Sequence, residues 1–277
     1  MYRNRAWHKV SSFVLILYCS IIVVLFGLIL INSVKTQPEI FKNIWGLPQN
    51  ISFSKFADLM TEFHFGTYFS NSLIITIISV VVSTYIAAMT SYGIAKFVFK
   101  GSSFLYLFFM LGLMFPVQLG IVPLYIFIRQ IGLNNSIYGI CLINCGTISF
   151  SVFVLTGFIK TISNEIIEAC KIDGANQFFI FNKIILPLSA PALGAVIPLV
   201  AVRTWNDFFV PMIFLTKDST KTIPLGLMRF FIGEYFDISK MDLVFAAAAV
   251  SLVPIILLYI VSSNQIASGI SAGAVKG

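Results

Sequence analysis

Charge is scarce in this sequence. Of its 277 residues only 10% are Asp, Glu, Lys or Arg, against roughly 25% in an ordinary soluble domain. Hydrophobic residues make up 58%, and the mean hydropathy is +0.95. A water-facing surface cannot be assembled from that composition, so the solvent is predicted to be a lipid bilayer. Histidine is rarer still, with only His8 and His64 present. That pair cannot build a His-based metal site or a catalytic triad, and no metal is expected. No Gly-x-x-x-x-Gly-Lys-Ser/Thr phosphate loop occurs, nor even a Gly-Lys dipeptide, so nucleotide hydrolysis by that route is excluded. The net charge of +7 is spread over the loops without the basic run that nucleic acid requires, and no nucleic-acid partner is expected. Of the four cysteines, Cys141 and Cys145 are four apart on one helix face. With no His or carboxylate nearby, that pair reads as free thiols in a packed helix rather than ligands or a disulfide, and Cys19 likewise lies in an apolar segment.

What is abundant is long apolar sequence. Six segments are predicted to span the bilayer, at about 12–31, 70–95, 103–128, 138–159, 189–215 and 243–262. The first follows Arg3, Arg5 and Lys9 and is longer than the roughly 7–15 residues of a signal-peptide core. It leads into Asn32-Ser33-Val34-Lys35 rather than a small-residue cleavage site, so it reads as a retained helix. Two long stretches, 32–69 and 216–242, connect spans. In the first, Phe56, Leu59, Met60 and Phe63 recur at helical spacing, with Lys55, Asp58 and Glu62 elsewhere. That pattern predicts an amphipathic helix too short to span, lying in the interface. The second reads as polar and contains Lys221-Thr222-Ile223-Pro224-Leu225-Gly226. In the third span, Pro116-Val117-Gln118 and Pro123 predict a kink or an interruption. Such a bend either packs or lines a pathway, and Gln118 is its polar candidate. Gly132-Leu133-Asn134-Asn135 is read as a turn, and the Ala246 to Ala249 run as a close helix contact.

Between the fourth and fifth spans lies a polar island, 164–187. Glu165, Glu168 and Ile172 fall at i, i+3 and i+7 on one face of a short helix. Gly174 can take the positive φ that closes it, with Asp173 as a turn or cap residue. Phe178, Phe181 and Ile185 are expected to form the apolar stripe of a second short helix, which Pro187 ends.

The island's spacing, Glu168-Ala169 followed by Gly174 and then by Ile184-x-Leu186-Pro187, resembles the "EAA" loop of permease subunits in bacterial ABC importers. Cys170 stands where that family usually has a second Ala. Asp173-Gly174-Ala175 is similar to the carbohydrate-uptake, maltose-type branch. Asn71-Ser72-Leu73, Pro116 with Pro123-Leu124-Tyr125, Gly132-Leu133, Trp205-Asn206-Asp207 and the ending Ala272-Gly273-Ala274-Val275-Lys276-Gly277 extend the likeness over nearly the whole chain. That ending resembles the maltose G-type partner of the two permeases. The resemblance implies an all-α integral membrane protein, a single permease domain over 1–277 with six transmembrane helices and the type I ABC importer permease fold. It further implies that Glu165, Glu168, Ala169, Asp173, Gly174 and Ala175 form a cytoplasmic coupling helix. The expected partners are an ABC ATPase dimer, a second non-identical permease, an extracytoplasmic solute-binding protein and a sugar, with an oligosaccharide preferred. ATP and Mg would sit on the ATPase, leaving this chain without a cofactor and without catalytic residues. The Lys and Arg count, nine on the island's side against eight on the other, is nearly balanced. The resemblance places the island and both termini in the cytoplasm of a bacterial cell.

The fifth span carries Arg203-Thr204-Trp205-Asn206-Asp207. Arg203 and Asp207 are four apart, so a continuous helix would pair them. Asn206 and Asp207 are candidates for a sugar pathway, with Arg203 as the charge partner. The alternative is a self-contained channel or secondary transporter using those two charges.

Overall fold

The structure, a computed structural model, describes residues 5–232, 237 and 240–274. Arg3, residues 275–277 of the family-like ending, and parts of the 216–242 stretch lie outside them. The described residues are helical and contain no strand. Apolar sequence without competing polar side chains leaves the intrahelical hydrogen bond as the only way to satisfy the backbone in lipid.

Among the described residues, three helices are long and apolar enough to cross a membrane, lying at Val10–Asn32, Phe65–Lys96 and Met241–Ser263. They belong to α1 (Arg5–Asn32), α4 (Phe65–Lys96) and α15 (Met241–Ala274). Three further segments qualify only as bent pairs. Helix α5 (Ser102–Gly112) meets the stretch Val117–Gln130, which ends in α6 (Ile121–Gln130), at 94°. Helix α7 (Ile137–Gly146) meets α8 (Ser149–Ile159) at 44°, and Gln177–Leu188 meets α12 (Ala190–Trp205) at 79°.

The chain divides into two compact units. The first comprises Met1–Gly66 and Ile223–Val253, the second Thr67–Thr222 and Pro254–Gly277. In the second unit, the buried core joins Ala87, Ala88 and Tyr92 of α4 to Val152, Leu155 and Ile159 of α8 and Val196 of α12. The polar island contributes Ile167, Ile180, Phe181 and Ile185 to the same core. In the first unit, α2 (Gln37–Lys42), α3 (Ser54–Thr61) and α14 (Ile223–Ile232) accompany α1 and the start of α15. Ala246, Ala247 and Ala249 are buried there, as small residues at a close contact allow.

Several sequence expectations change. Helix α3 does not present its apolar stripe outward. Leu59 and Phe63 are buried, with Phe63 against Phe230 at 5.2 Å between ring centres, and Met60 is left exposed. Lys55, assigned to the polar side, is buried too, its Nζ donating to the Lys35 carbonyl. A carbonyl partner is what makes a lysine tolerable there. The 216–242 stretch is not a polar loop throughout, because it contains α14 with Ile223, Leu225 and Phe230 buried.

Local chemistry explains the turns of the second unit. Asn135 adopts φ 57°, which an Asn tolerates. Its Oδ1 accepts from Thr216 N–H at 2.6 Å and from the Thr216 hydroxyl at 2.7 Å. Asn71, in the second turn of α4, donates its side-chain amide to the carbonyls of Ser219 and Lys221, each at 2.9 Å. These bonds fasten the strand-free connection after α13 (Phe209–Phe214) to two other elements of the same unit.

Candidate functional site

The polar island folds as a helical knob. Ser163 caps α9 (Asn164–Ile172), its hydroxyl accepting from Glu165 N–H at 3.2 Å. An N-terminal Ser supplies an acceptor for an otherwise orphaned amide. Asp173 is the C-cap residue and Gly174 follows at φ 82°, the left-handed value that closes a helix at least cost when the residue is Gly. Asn176 then caps α10 (Gln177–Ile180), accepting from Phe179 N–H at 2.8 Å.

The second helix departs from its expected pattern. Pro187 does not end it. A π-turn over Phe181–Ile185 runs into α11 (Leu186–Leu188), with Pro187 in that short helix and the chain turning only at Ser189. A proline removes one donor from the ladder, and a wider turn just before it re-pairs the freed carbonyls. The extra residue also shifts the stripe. Ile180, Phe181 and Ile185 are buried, whereas Phe178, assigned to the stripe, is 65% exposed.

Two tyrosines of α4 fix the knob from behind. Tyr92 donates to the Gln177 carboxamide at 2.8 Å, and Tyr85 donates to Asn182 Oδ1 at 3.0 Å. Lys96, at the end of α4, donates to Asn164 Oδ1 at 3.0 Å and to the Ile162 carbonyl. Outward, Glu165, Glu168, Ala169, Asp173 and Gly174 are exposed, with Ala175 half-buried. Ile172 is 86% exposed, and Ile166 and Phe179 are also open. The knob therefore offers carboxylates beside bare apolar side chains, on a base that cannot easily yield.

The second feature is a cavity of about 810 Å³ where the broken helices meet. Its wall takes Phe115, Pro116, Val117 and Gln118 from the 94° bend and Asn144, Gly146, Thr147 and Ser149 from the 44° bend. Arg203, Asp207 and Val210 come from the end of the fifth segment. Breaks free backbone groups from the helical ladder, and such groups are tolerated where they are buried in protein or line a water-filled cavity. Asn144 is oriented by donating to Ser79 Oγ at 3.3 Å.

Gln118 and Asp207 thus share one wall with Arg203, but Asn206 does not line it and is exposed at the C-cap of α12. Arg203 and Asp207 form no ion pair, because α12 stops at Trp205 and Asp207 lies past the cap. An ion pair occurs elsewhere, between Lys221 and Asp218 at 2.6 Å. Asp207 instead accepts from Val210 N–H at 3.3 Å, at the start of α13. Trp205 faces away, edge-on to Phe69 at 5.8 Å. What sequence reasoning missed were Asn144, Thr147 and Ser149. The Cys145-Gly146-Thr147 break has no proline to announce it.

Broken apolar helices around a cavity with a few polar groups in an apolar wall, together with an exposed knob braced by α4, point to a membrane transport component. The chain belongs to the family of binding-protein-dependent transport system inner membrane components, whose pattern matches residues 84–271. It is an ABC importer permease, multi-pass in the inner membrane, and not an enzyme. It is 31% identical over 278 residues to the probable ABC transporter permease protein YurM of Bacillus subtilis, covering 99% of this chain and 91% of that one. It is also 31% identical to the diacetylchitobiose uptake system permease protein NgcG of Streptomyces coelicolor, covering 99% and 90%. The multiple sugar-binding transport system permease protein MsmG of Streptococcus mutans is 30% identical, with 88% of each chain covered. The fold resembles a chain of a bacterial ABC transporter involved in import of the acidic polysaccharide alginate, with a TM-score of 0.83, 22% identity, and 95% and 98% coverage. Membership of this family sets aside a self-contained channel or secondary transporter.

Proposed function

We propose that this chain and a second, non-identical permease form the translocation pathway of a bacterial sugar importer, with an oligosaccharide as cargo. An extracytoplasmic solute-binding protein delivers the sugar. A separate ATPase dimer binds ATP and Mg on the cytoplasmic side, where the knob and both termini lie. The support for a sugar is the naming of NgcG for diacetylchitobiose and MsmG for multiple sugars. A solved alginate transporter, described in complex with an alginate pentasaccharide-bound periplasmic protein, is a further precedent. Gln118 and Asp207 are the pathway residues this reading selects, since an amide and a carboxylate can bind sugar hydroxyls and both line the cavity.

One observation carries the coupling role, namely the exposed carboxylate and apolar face of α9 and α10 on a base braced by Tyr85, Tyr92 and Lys96. A partner that buries this face would exchange force with α4 and, through Leu186–Leu188, with α12. Opposite charge on that partner would complement Glu165 and Glu168. In the assembled importer, Glu168→Lys and Gly174→Leu should each abolish sugar-stimulated ATP hydrolysis while membrane insertion is kept. A side chain at the left-handed Gly174 costs about 1 kcal/mol or more and misdirects α10. Full stimulated hydrolysis in either variant would remove the knob from the coupling path.

A further inference from the structure

We propose that the loop 41–53 is a membrane-interface anchor, seated among lipid headgroups and the first carbons of the acyl chains at the end of α1. Its composition sets it apart in a chain whose charges otherwise gather in loops. No Asp, Glu, Lys or Arg occurs from Asn43 through Ser54, while Ile44, Trp45, Leu47, Ile51 and Phe53 crowd into the same stretch. None of these five is buried. Trp45 is 70% exposed and Leu47 79% exposed, and Phe41 and Phe53 are open beside them.

The depth of this loop is fixed by bonds to the last turn of a spanning helix. Asn32, the final residue of α1, donates its side-chain amide to the Ile44 carbonyl at 3.0 Å and to the Leu28 carbonyl at 2.8 Å. Lys35 is buried, and its ammonium donates to the carbonyls of Asn43 at 3.1 Å and Ile44 at 3.2 Å. The Ser52 N–H returns to the Val34 carbonyl at 3.0 Å, closing the loop at its other end. The tip itself is shaped by Asn43 Oδ1, which accepts from the N–H groups of Trp45 and Gly46, each at 3.0 Å. The apolar run of α1 stops where these bonds begin. Trp45 and Leu47 are therefore held at the hydrocarbon boundary, where amphipathic aromatic rings partition. Near the end of α1 itself, Phe26 and Leu30 are also open. The interfacial role expected of α3 thus passes to this loop, because α3 turns Leu59 and Phe63 inward.

The test uses the full chain in phospholipid vesicles and takes the emission of Trp45 as the difference between wild type and Trp45→Phe. Lipids brominated near the glycerol end of the acyl chain should cause the larger loss of that emission, and lipids brominated near the methyl end the smaller. Aqueous iodide should cause little loss. Strong iodide quenching without bromolipid quenching, or a deeper preference than α1's end allows, overturns the proposal. So does iodide quenching that addition of the solute-binding protein abolishes, which would make the loop a protein-docking surface instead.

Discussion

Helix α4 and the α5–α6 segment are both apolar, close in length and neighbours in sequence, yet one is continuous and the other turns through 94°. The difference is not apolarity, nor the mere presence of proline. Helices α12 and α15 carry Pro198 and Pro254 in their interiors without a break. Pro123 sits in the first turn of α6, where its missing N–H costs nothing. Pro116 comes at the break itself, where its backbone is extended (ψ 141°) and the chain passes into a short 3-10 turn at Val117–Gly120. Polar groups divide along the same line. In α4 some are satisfied within the chain, as Thr84 Oγ1 donates back to the Val80 carbonyl and Ser91 Oγ to the Val152 carbonyl, while the buried hydroxyls of Thr76 and Ser83 have no partner among the described residues. In the broken segments, Gln118, Thr147, Ser149 and Asp207 face a cavity. Continuous helices make the frame, and broken ones make the space a solute could use.

That contrast can be broken at glycines. The largest effect is expected at Gly139 in α7, where a Cβ would come within 2.5 Å of the Leu133 backbone carbonyl, which cannot rotate away. Gly139→Ala should destabilise the chain by about 1–3 kcal/mol, seen as a lowered Tm in detergent. An unchanged Tm would mean that this turn is looser than the packing requires. Gly112, at the end of α5, is a milder case, because an added Cβ would press on the hydroxyl of Ser149 at the start of α8. Gly112→Ala should cost about 1 kcal/mol, and adding Ser149→Ala should recover it. Failure of that rescue in a double-mutant cycle would show that the two breaks are not in direct contact. Gly93 in continuous α4 has nothing within 4 Å of a built Cβ. Gly93→Ala in the isolated chain should raise stability by about 0.5–1 kcal/mol, the opposite sign to the other two.

The smallest effect concerns how the first unit buries charge beyond the end of continuous α1. Burial pushes the Lys55 ammonium below its ordinary value, with Asp242 and Glu39 opposing the shift. Between that lowered folded value and the ordinary 10.5, the unfolded chain holds more protons. Stability contributed by this group therefore rises with pH through the window, and the cost of burying the charge is fully present below it. Unfolding followed against pH for wild type minus Lys55→Met should show this rise. A flat difference would mean that the carbonyl bond compensates the burial in full.

Much of the candidate site was legible. The cap at Gly174 and the exposed carboxylates of α9 follow from residue types at helical spacing, which local geometry nearly dictates. The Phe178 assignment failed because a π-turn inserts a residue into the repeat, and periodicity presumes a constant one. The Arg203–Asp207 pairing failed for a related reason, since i, i+4 neighbours meet only if the helix continues past them. Lys55 failed because a cation's place in the sequence pattern carries no record of the carbonyl waiting for it 20 residues away.

The sequence by itself determined the solvent, the helical class, the family and the position of the knob. These follow from composition and from contacts within one or two turns, where each residue's chemistry acts on its own backbone. Only the tertiary structure decided which helices break through a large angle, and which polar side chains the breaks bring to one wall. It alone showed that Asn32 and the buried Lys35 hold the backbone of a bare apolar loop at the end of α1. Those outcomes depend on whether a freed carbonyl or a buried ammonium finds a partner far along the chain, and that partner exists only once the chain has folded.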